Sequence, residues 1–500
     1  MSFLNSILYR INNFFPNDNT AIPRRERYKR HNNEGINIAI ECFTGYEVLN
    51  FYYVAVLSKL LKENKINKVY LVYKKSMDKY LWQNKLLKNY LDAEEITLSG
   101  KKVVGERLLY FIENNKYITD INFNGFNVGQ DIYFSKLRNN KIGRFYPETH
   151  YYEKEISEFL GRYEAMEQFL KEKSINCLLL SDIAYTSFLP VFIASLNKNI
   201  NTIVSFPYGK TGKIGGRSYV NHADYNDAVR RFPFSFNDST WAKAQTIDSS
   251  VIEEFVDKRF EGKTELFDGG YQQGKNFGIT SIDVKENKYN ALVACHLVWD
   301  NPGYESLFKD YIDWLIQTLK IAEKRNDVNW IIKSHPSEKH LGTNEKVVTI
   351  LNDLFGKKIP PNIYFLDSDT KVSTFQLIKE VDFIVTCRGT ITFEAASLGK
   401  KVVTAGDGPH TGLGIAEEFS NATDYLSYLE SVDDFSFDKM EVAKRAMYTY
   451  MDIKAVQSNV LRSFFDNTTS MKEIREKGLS DKAIEKVHNL ILQNTSEDIV

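Results

Sequence analysis

The sequence predicts an α/β protein: two Rossmann-like, doubly wound domains facing across a cleft, with C-terminal helices. Three observations lead to the paired α/β domains. Short apolar runs rich in Val and Ile alternate with helix-period segments in two separate series, and such alternation implies parallel βαβ units. The 500 residues exceed what one hydrophobic core usually serves. A composition of 43% hydrophobic and 26% charged residues is that of a folded globular chain.

The first series opens at Ile36. There INIAIECF reads as a strand, Val48–Lys62 as an amphipathic helix and KVYLVYK as the next strand. INCLLLSD (175–182) follows as a strand, TSFLPVFIASLNK as a helix and NTIVSFP as a strand. From Pro207 to about Thr280 the periodicity fades, and YGKTGKIGGRSY and FDGGYQQGKNFG read as surface loops and short helices ending in a linker.

The second series begins near Lys288. YNALVACHLV is a strand, and residues 304–324 form a long helix with Leu307, Tyr311, Leu315 and Leu319 on one face. VNWIIKS, NIYFLD, VDFIVTC and KKVVTAG are strands, and VVTILNDLF, STFQLIKE and TITFEAASLG are the helices between them. The expected organisation is a segment 1–30, a first Rossmann-like domain 31–285, a second one 286–445 and C-terminal helices 446–500.

With 64 basic and 65 acidic side chains the net charge is −1, which argues against a nucleic-acid binder. Cys42, Cys177, Cys295 and Cys387 show no metal-ligand spacing and read as reduced thiols of a cytoplasmic protein. No apolar run approaches the ~18 residues of a membrane span. The early apolar residues are interrupted too often for a cleavable signal peptide. Phe3, Leu4, Ile7, Leu8, Ile11, Phe14 and Phe15 recur at helical spacing, and RRERYKR (Arg24–Arg30) follows Pro16. An aromatic amphipathic helix beside a basic cluster suits an anionic bilayer surface, and it equally suits docking on the protein's own core, so residues 1–30 carry both expectations.

Ligands of open parallel sheets bind beyond the carboxyl ends of the strands. In the second series those ends carry His296 and Asp300, then Lys333, His335 and Ser337, then Asp367, Ser368 and Asp369, then Arg388, Gly389 and Thr390, then His410. Cations and hydrogen-bonding groups thus collect on one edge. Gly389 lets backbone approach a ligand, and Thr390 is placed to cap the following helix, whose start favours a phosphate. Glu394, one turn on, is placed for ribose hydroxyls. Lys333 and His335 end a buried strand because an anion is expected there, with Pro336 fixing the turn. The acidic DSD run (367–369) reads as a solvated turn, and no metal is expected.

Three elements, HLVWDNP, KSHPS and GTITFEAASLG, resemble the carboxyl half of bacterial capsule and lipopolysaccharide biosynthesis proteins, a GT-B-fold group that includes the Kdo transferases of capsule assembly. Their pattern falls here on His296, Asp300 and Pro302, on Lys333, His335, Pro336 and Ser337, and on Gly389, Thr390, Glu394 and Gly399. The resemblance covers roughly residues 285–430. In the first domain only FNVGQDIYFSKLR (126–138) resembles the group, with one acid shifted to Asp131 and one replaced by Phe134.

The resemblance implies a transferase that moves a sugar from a nucleotide sugar, with CMP slightly favoured, to a glycan or glycolipid acceptor at the cell surface. Such chemistry needs cations and N–H groups on the leaving phosphate. It also needs a base for the acceptor hydroxyl if the enzyme inverts. Lys333, His335, Arg388 and Gly389–Thr390 are the expected phosphate residues, and Glu394 the ribose residue. His296 and Asp300 would line the cleft. Asp131, Glu41 and Asp182 are the candidate bases, Asp131 first. Three other readings stay open: a sugar-nucleotide 2-epimerase, a CDP-alcohol phosphotransferase, and a catalytically inactive scaffold for glycan assembly.

Overall fold

The computed structural model describes residues 34–43, 47–74, 82–98, 105–208, 211–222, 238–264, 289–301, 306–356, 358–453, 455–466, 468, 473–474, 477 and 479–499. The amphipathic segment 1–30 and Pro302 lie outside the described residues. Among the described residues no helix is long and apolar enough to cross a membrane.

The strands in chain order are β1 (Ile36–Glu41), β2 (Ile66–Tyr73), β3 (Glu94–Thr97), β4 (Asn122–Phe123), β5 (Phe126–Asn127), β6 (Cys177–Leu180) and β7 (Asn201–Pro207). They continue with β8 (Lys213–Tyr219), β9 (Tyr289–Ala294), β10 (Val328–Lys333), β11 (Ile363–Leu366), β12 (Phe383–Thr386), β13 (Lys401–Thr404) and β14 (Val456–Gln457). The strands and helices expected within the two series are present and NTIVSFP coincides with β7, but the helix expected over 304–324 spans Tyr311–Lys324, so Leu307 precedes it.

Two compact units result, and both are discontinuous in sequence. One comprises Met1–Asn115, Tyr152–Asp227 and Lys454–Val500, the other Lys116–Tyr151 and Ala228–Ile453. The sheet of the first unit runs β14-β8-β7-β6-β1-β2-β3. Its strands β7, β6, β1, β2 and β3 pair in parallel, while β8 and β14 are added antiparallel. The central strands β6 and β7 are almost wholly buried, as strands with both faces covered are, while the edge strand β3 is not. The helix Glu47–Lys62 buries Tyr52, Val56 and Leu60 in this core against Ile484, Val487 and Leu490 of the C-terminal helix Lys482–Gln493. Tyr52 Oη also donates to the Ala483 carbonyl at 2.7 Å, which secures the start of that helix.

The second sheet runs β11-β10-β9-β12-β13, all parallel. The chain builds outward from β9 through β10 to β11, then returns to the other side of β9 for β12 and β13. The strand order therefore reverses between β9 and β12, and a ligand crevice of a doubly wound sheet forms at such a switch point. On one face Leu292, Ile331 and Ile384 pack with Ile252, Phe375, Phe393 and Met447.

Three placements differ from the sequence expectation. The helix Val128–Asn140, which carries Asp131, belongs to the second unit, where Tyr133 Oη donates to buried Asp310 Oδ2 at 2.9 Å and Arg138 pairs with Asp300. A local helical pattern does not reveal which core receives it. Lys213–Tyr219 forms an antiparallel strand rather than a loop, and the helices Asp238–Gln245 and Ser249–Phe260 belong to the second unit. The last segment, 454–500, returns to the first unit. Replacing Ile484, fully buried in the first core, by Ala is expected to cost about 2–5 kcal/mol in urea denaturation, by lost transfer energy and a cavity.

Candidate functional site

Parallel register sets the geometry. Lys333 pairs with Ala294 and Leu366, and Ala294 with Thr386, so these residues form one row at the carboxyl edge of β9, β10, β11 and β12. Residues just past the row are delivered side by side. At the switch point these are His296 after β9 and Arg388 after β12, with His335 after β10.

His296 is tightly oriented. Its ring stacks on Tyr311, with centroids 4.4 Å apart at 13°, and the Arg388 backbone N–H donates to its Nε2 at 3.2 Å. Thr386 Oγ1 lies 3.2 Å from the same nitrogen. Nε2 thus acts as acceptor, which puts the proton of the neutral ring on Nδ1. Burial, then the positive charge of Arg388 and the neighbouring His335, push this imidazole down to about 3. Gly389 has φ +112°, a value that favours glycine, and an added Cβ would meet His296 Cε1 at 3.5 Å.

Arg388 is buried, and its guanidinium lies 5.8 Å from the Tyr311 ring centroid. His410 stands close by, near enough to feel its charge. Gly408 touches both: a Cβ there would fall 2.8 Å from His410 Cε1 and 3.4 Å from Arg388 Cβ. His410 is fully buried, and among the described residues neither ring nitrogen has a hydrogen-bond partner. Burial and Arg388 hold it down at about 3. A buried polar atom left unsatisfied costs about 1–3 kcal/mol, so this residue weakens the fold where it stands. Such costs persist at ligand sites.

On β10, Lys333 is buried. His335 is half-buried, and its Nδ1 accepts from the Ser337 backbone N–H at 3.1 Å. In the neutral ring the proton therefore sits on Nε2, where it can donate to an anion. Ser337 Oγ is buried with no hydrogen-bond partner among the described residues. Asp300 pairs with Arg138, and Tyr311 feels both Asp300 and Arg388 electrostatically. The structure thus brings His296, His335, Arg388 and His410 together, with Lys333 in the adjoining row.

Other expected residues sit elsewhere. Glu394 is buried, and its Oε1 accepts from Arg259 Nε at 3.0 Å and Nη2 at 2.5 Å, so its carboxylate is spent on an ion pair rather than presented to a ribose. Thr390 makes no side-chain capping bond. Its φ −65° and ψ −24° are already helical, whereas a capping residue is extended, and the helix Ile391–Ser397 has only seven residues. The start of this short helix therefore offers no capped N-terminal site, and the polar groups at this edge are side chains.

Glu41 and Asp182 flank the switch point of the first sheet. Glu41 is buried and accepts from Ser181 Oγ at 2.5 Å and from the Phe43 N–H, fastening the ends of β1 and β6 together. Burial raises its carboxyl. Asp182 Oδ1 accepts from the N–H groups of Ile183 and Ala184 at 2.7 and 3.0 Å, ahead of the helix Tyr185–Leu196. Asp131, half-buried, lies in the first turn of its helix, about 10 Å along the axis from Arg138. In the DSD run Asp369 pairs with Lys339 at 2.9 Å.

Sequence reading missed Arg259 and Tyr311. Arg259 ends an ordinary amphipathic helix, and nothing local marks a partner 135 residues away. Tyr311 was read as one of four residues on an apolar helix face.

Two doubly wound α/β units in one chain, with ligand-type residues at the switch point of the second, are the elements of the GT-B architecture. Protein-family models and curated proteins give no match. Solved structures similar to this chain include the Thermosulfurimonas dismutans KpsC beta Kdo 2,4 transferase, with 11% identity over 55% of this chain and 80% of that one, and a TM-score of 0.34. Others are the UDP-GlcNAc 2-epimerase of Neisseria meningitidis bound to UDP-GlcNAc (12% identity, 92% and 100% covered, TM-score 0.25) and the calicheamicin glycosyltransferase CalG4 (10%, 92% and 99%, 0.27). At such TM-scores the likeness says nothing about reaction or substrate.

Two outcomes test this site. His410 takes its proton near 6.5 when unfolded and near 3 when folded, so its protonation costs the fold nothing above pH 6.5 and a penalty grows as pH falls from there toward 3. That is roughly 1 kcal/mol per pH unit across the window. Calorimetry of His410→Leu should show a thermal midpoint equal to or above wild type and a flatter acid slope. A lower midpoint with an unchanged slope would refute the account. Arg259→Met should cost about 3–5 kcal/mol by stranding Glu394, and adding Glu394→Leu should recover much of it.

Proposed function

We propose that the chain is a glycosyltransferase, acting without a metal, that moves a sugar from a nucleotide-activated donor to a growing cell-surface glycan such as capsule or lipopolysaccharide. A CMP-sugar is slightly favoured as donor. The work takes place in the cytoplasm, at the inner face of the cytoplasmic membrane. The observation that carries this reading is the Arg388 guanidinium at the β9/β12 switch point, set beside two imidazoles held neutral, with Lys333 and His335 on the next strand.

That arrangement suits a departing phosphate. As the glycosidic bond breaks, negative charge grows on the leaving oxygen. Fixed cations and oriented N–H donors stabilise it without reorganising, in a site where water is scarce. Neutral His296 and His410 add polarity without competing with the anion for Arg388. His335 donates from Nε2. Asp131, in the first turn of the helix whose Arg138 pairs with Asp300, is our choice of base.

The experiment is a thermal-shift panel of CMP, CDP, UDP and GDP, since a ligand that binds only the folded state raises the melting temperature. CMP is expected to give the largest shift, and His335→Ala should lower turnover by about 10²-fold or more. No shift with any of the four nucleotides would overturn the assignment. Interconversion of a nucleotide sugar with no acceptor present would instead define an epimerase.

A further inference from the structure

An exposed aromatic surface lies in residues 116–151 of the second unit, outside the residues assigned above. Tyr146 and Tyr151 stack on each other, with centroids 4.8 Å apart at 29°, yet remain 60% and 43% exposed. His150 lies 4.0 Å from the Tyr151 ring, and Phe145 meets both tyrosines edge-on. Tyr117 is a further exposed ring. Scattered exposed aromatics are ordinary, but a contiguous stacked group in a soluble protein marks a binding surface.

The backbone holds these rings in place. Ile118 N–H donates to the Pro147 carbonyl at 2.8 Å, Thr149 N–H to Lys116 at 3.1 Å and Tyr151 N–H to Glu148 at 3.2 Å. Pro147 also restricts the backbone of Tyr146. The surface is thus preorganised, and binding costs little conformational entropy. Its surroundings are cationic. Lys136 Nζ sits 5.1 Å from the Phe145 ring centroid, Lys116 Nζ 4.9 Å from that of Tyr117, and exposed Lys309 Nζ donates to the Phe145 carbonyl at 3.4 Å. Glu148 faces Lys116, Asp310 faces Lys309 and Asp313 Oδ2 accepts from the Lys309 backbone N–H, and Arg144 is paired with Glu345 and Asp353.

We infer that the stacked tyrosines Tyr146 and Tyr151, with Lys136 and Lys309 beside them, bind an acidic carbohydrate chain. Flat rings pack against the C–H faces of sugar residues and tolerate many sugars, while lysines select carboxylated or phosphorylated ones. The inference rests on the glycosyltransferase reading for its meaning as an acceptor surface, not on the nucleotide site for its chemistry.

Native electrophoresis in gels cast with polysialic acid, polygalacturonate or dextran tests it on the full chain. The two acidic polymers should retard the wild-type protein and dextran should not. Tyr146→Ala/Tyr151→Ala should weaken retardation by about tenfold while keeping the thermal midpoint and the nucleotide-induced shift. Tyr146→Phe, which keeps the ring, should be retarded normally, as should His335→Ala. Equal mobility of the wild type in all three gels would overturn the inference. So would undiminished retardation of the double variant, or retardation by dextran alone. Retardation without any nucleotide shift would leave this surface standing and remove the transferase reading.

Discussion

In-register parallel pairing of β9 with β10 and β12 is the constraint on which the rest of the second unit depends. Parallel strands must all end at the same edge, and the register here aligns Lys333, Ala294 and Thr386 in one row. Whatever follows each strand is then delivered to a common rim. Because the order reverses between β9 and β12, their loops diverge and leave room at that place. His296 and Arg388 fill the position, and the N–H of one bonds the ring of the other.

The charges at this edge differ in kind from those under it. Arg388 is a permanent cation beside two imidazoles that its own field and burial keep uncharged. That combination concentrates positive potential at one atom group and leaves the rest merely polar. Arg259 and Glu394 instead neutralise each other in the core. A buried pair of this sort contributes little net stability compared with apolar residues, but losing one partner is severe. It joins the helix Ser249–Phe260 to the helix that follows β12, so the loop bearing Arg388 is anchored from behind.

The helix Val128–Asn140 shows a related division of labour. Tyr133 and Arg138 tie it to Asp310 and Asp300, and Asp310 also accepts from the Asp313 N–H at 2.8 Å to start the helix Tyr311–Lys324. That second helix carries the ring on which His296 stacks. One buried carboxylate thus connects the aromatic surface segment to the orientation of an edge histidine.

Within the described residues, the sequence by itself did not determine β3 or the helices Trp82–Leu91, Glu106–Asn114 and Glu153–Glu172. It determined the paired α/β series, most of their sheet strands and the edge at which ligand-type residues collect. These follow from local periodicity and from side-chain chemistry at strand ends, both of which short windows contain. Tertiary structure alone decided that Asp131 and the 116–151 segment join the second unit and that residues 454–500 return to the first. It also decided that Glu394 faces Arg259, that Thr390 does not cap, and that His410 is buried against Arg388. Each of these depends on which distant surface buries a given face or satisfies a given charge. Neighbours along the chain do not specify that partner, because burial and pairing are set by residues many tens of positions away.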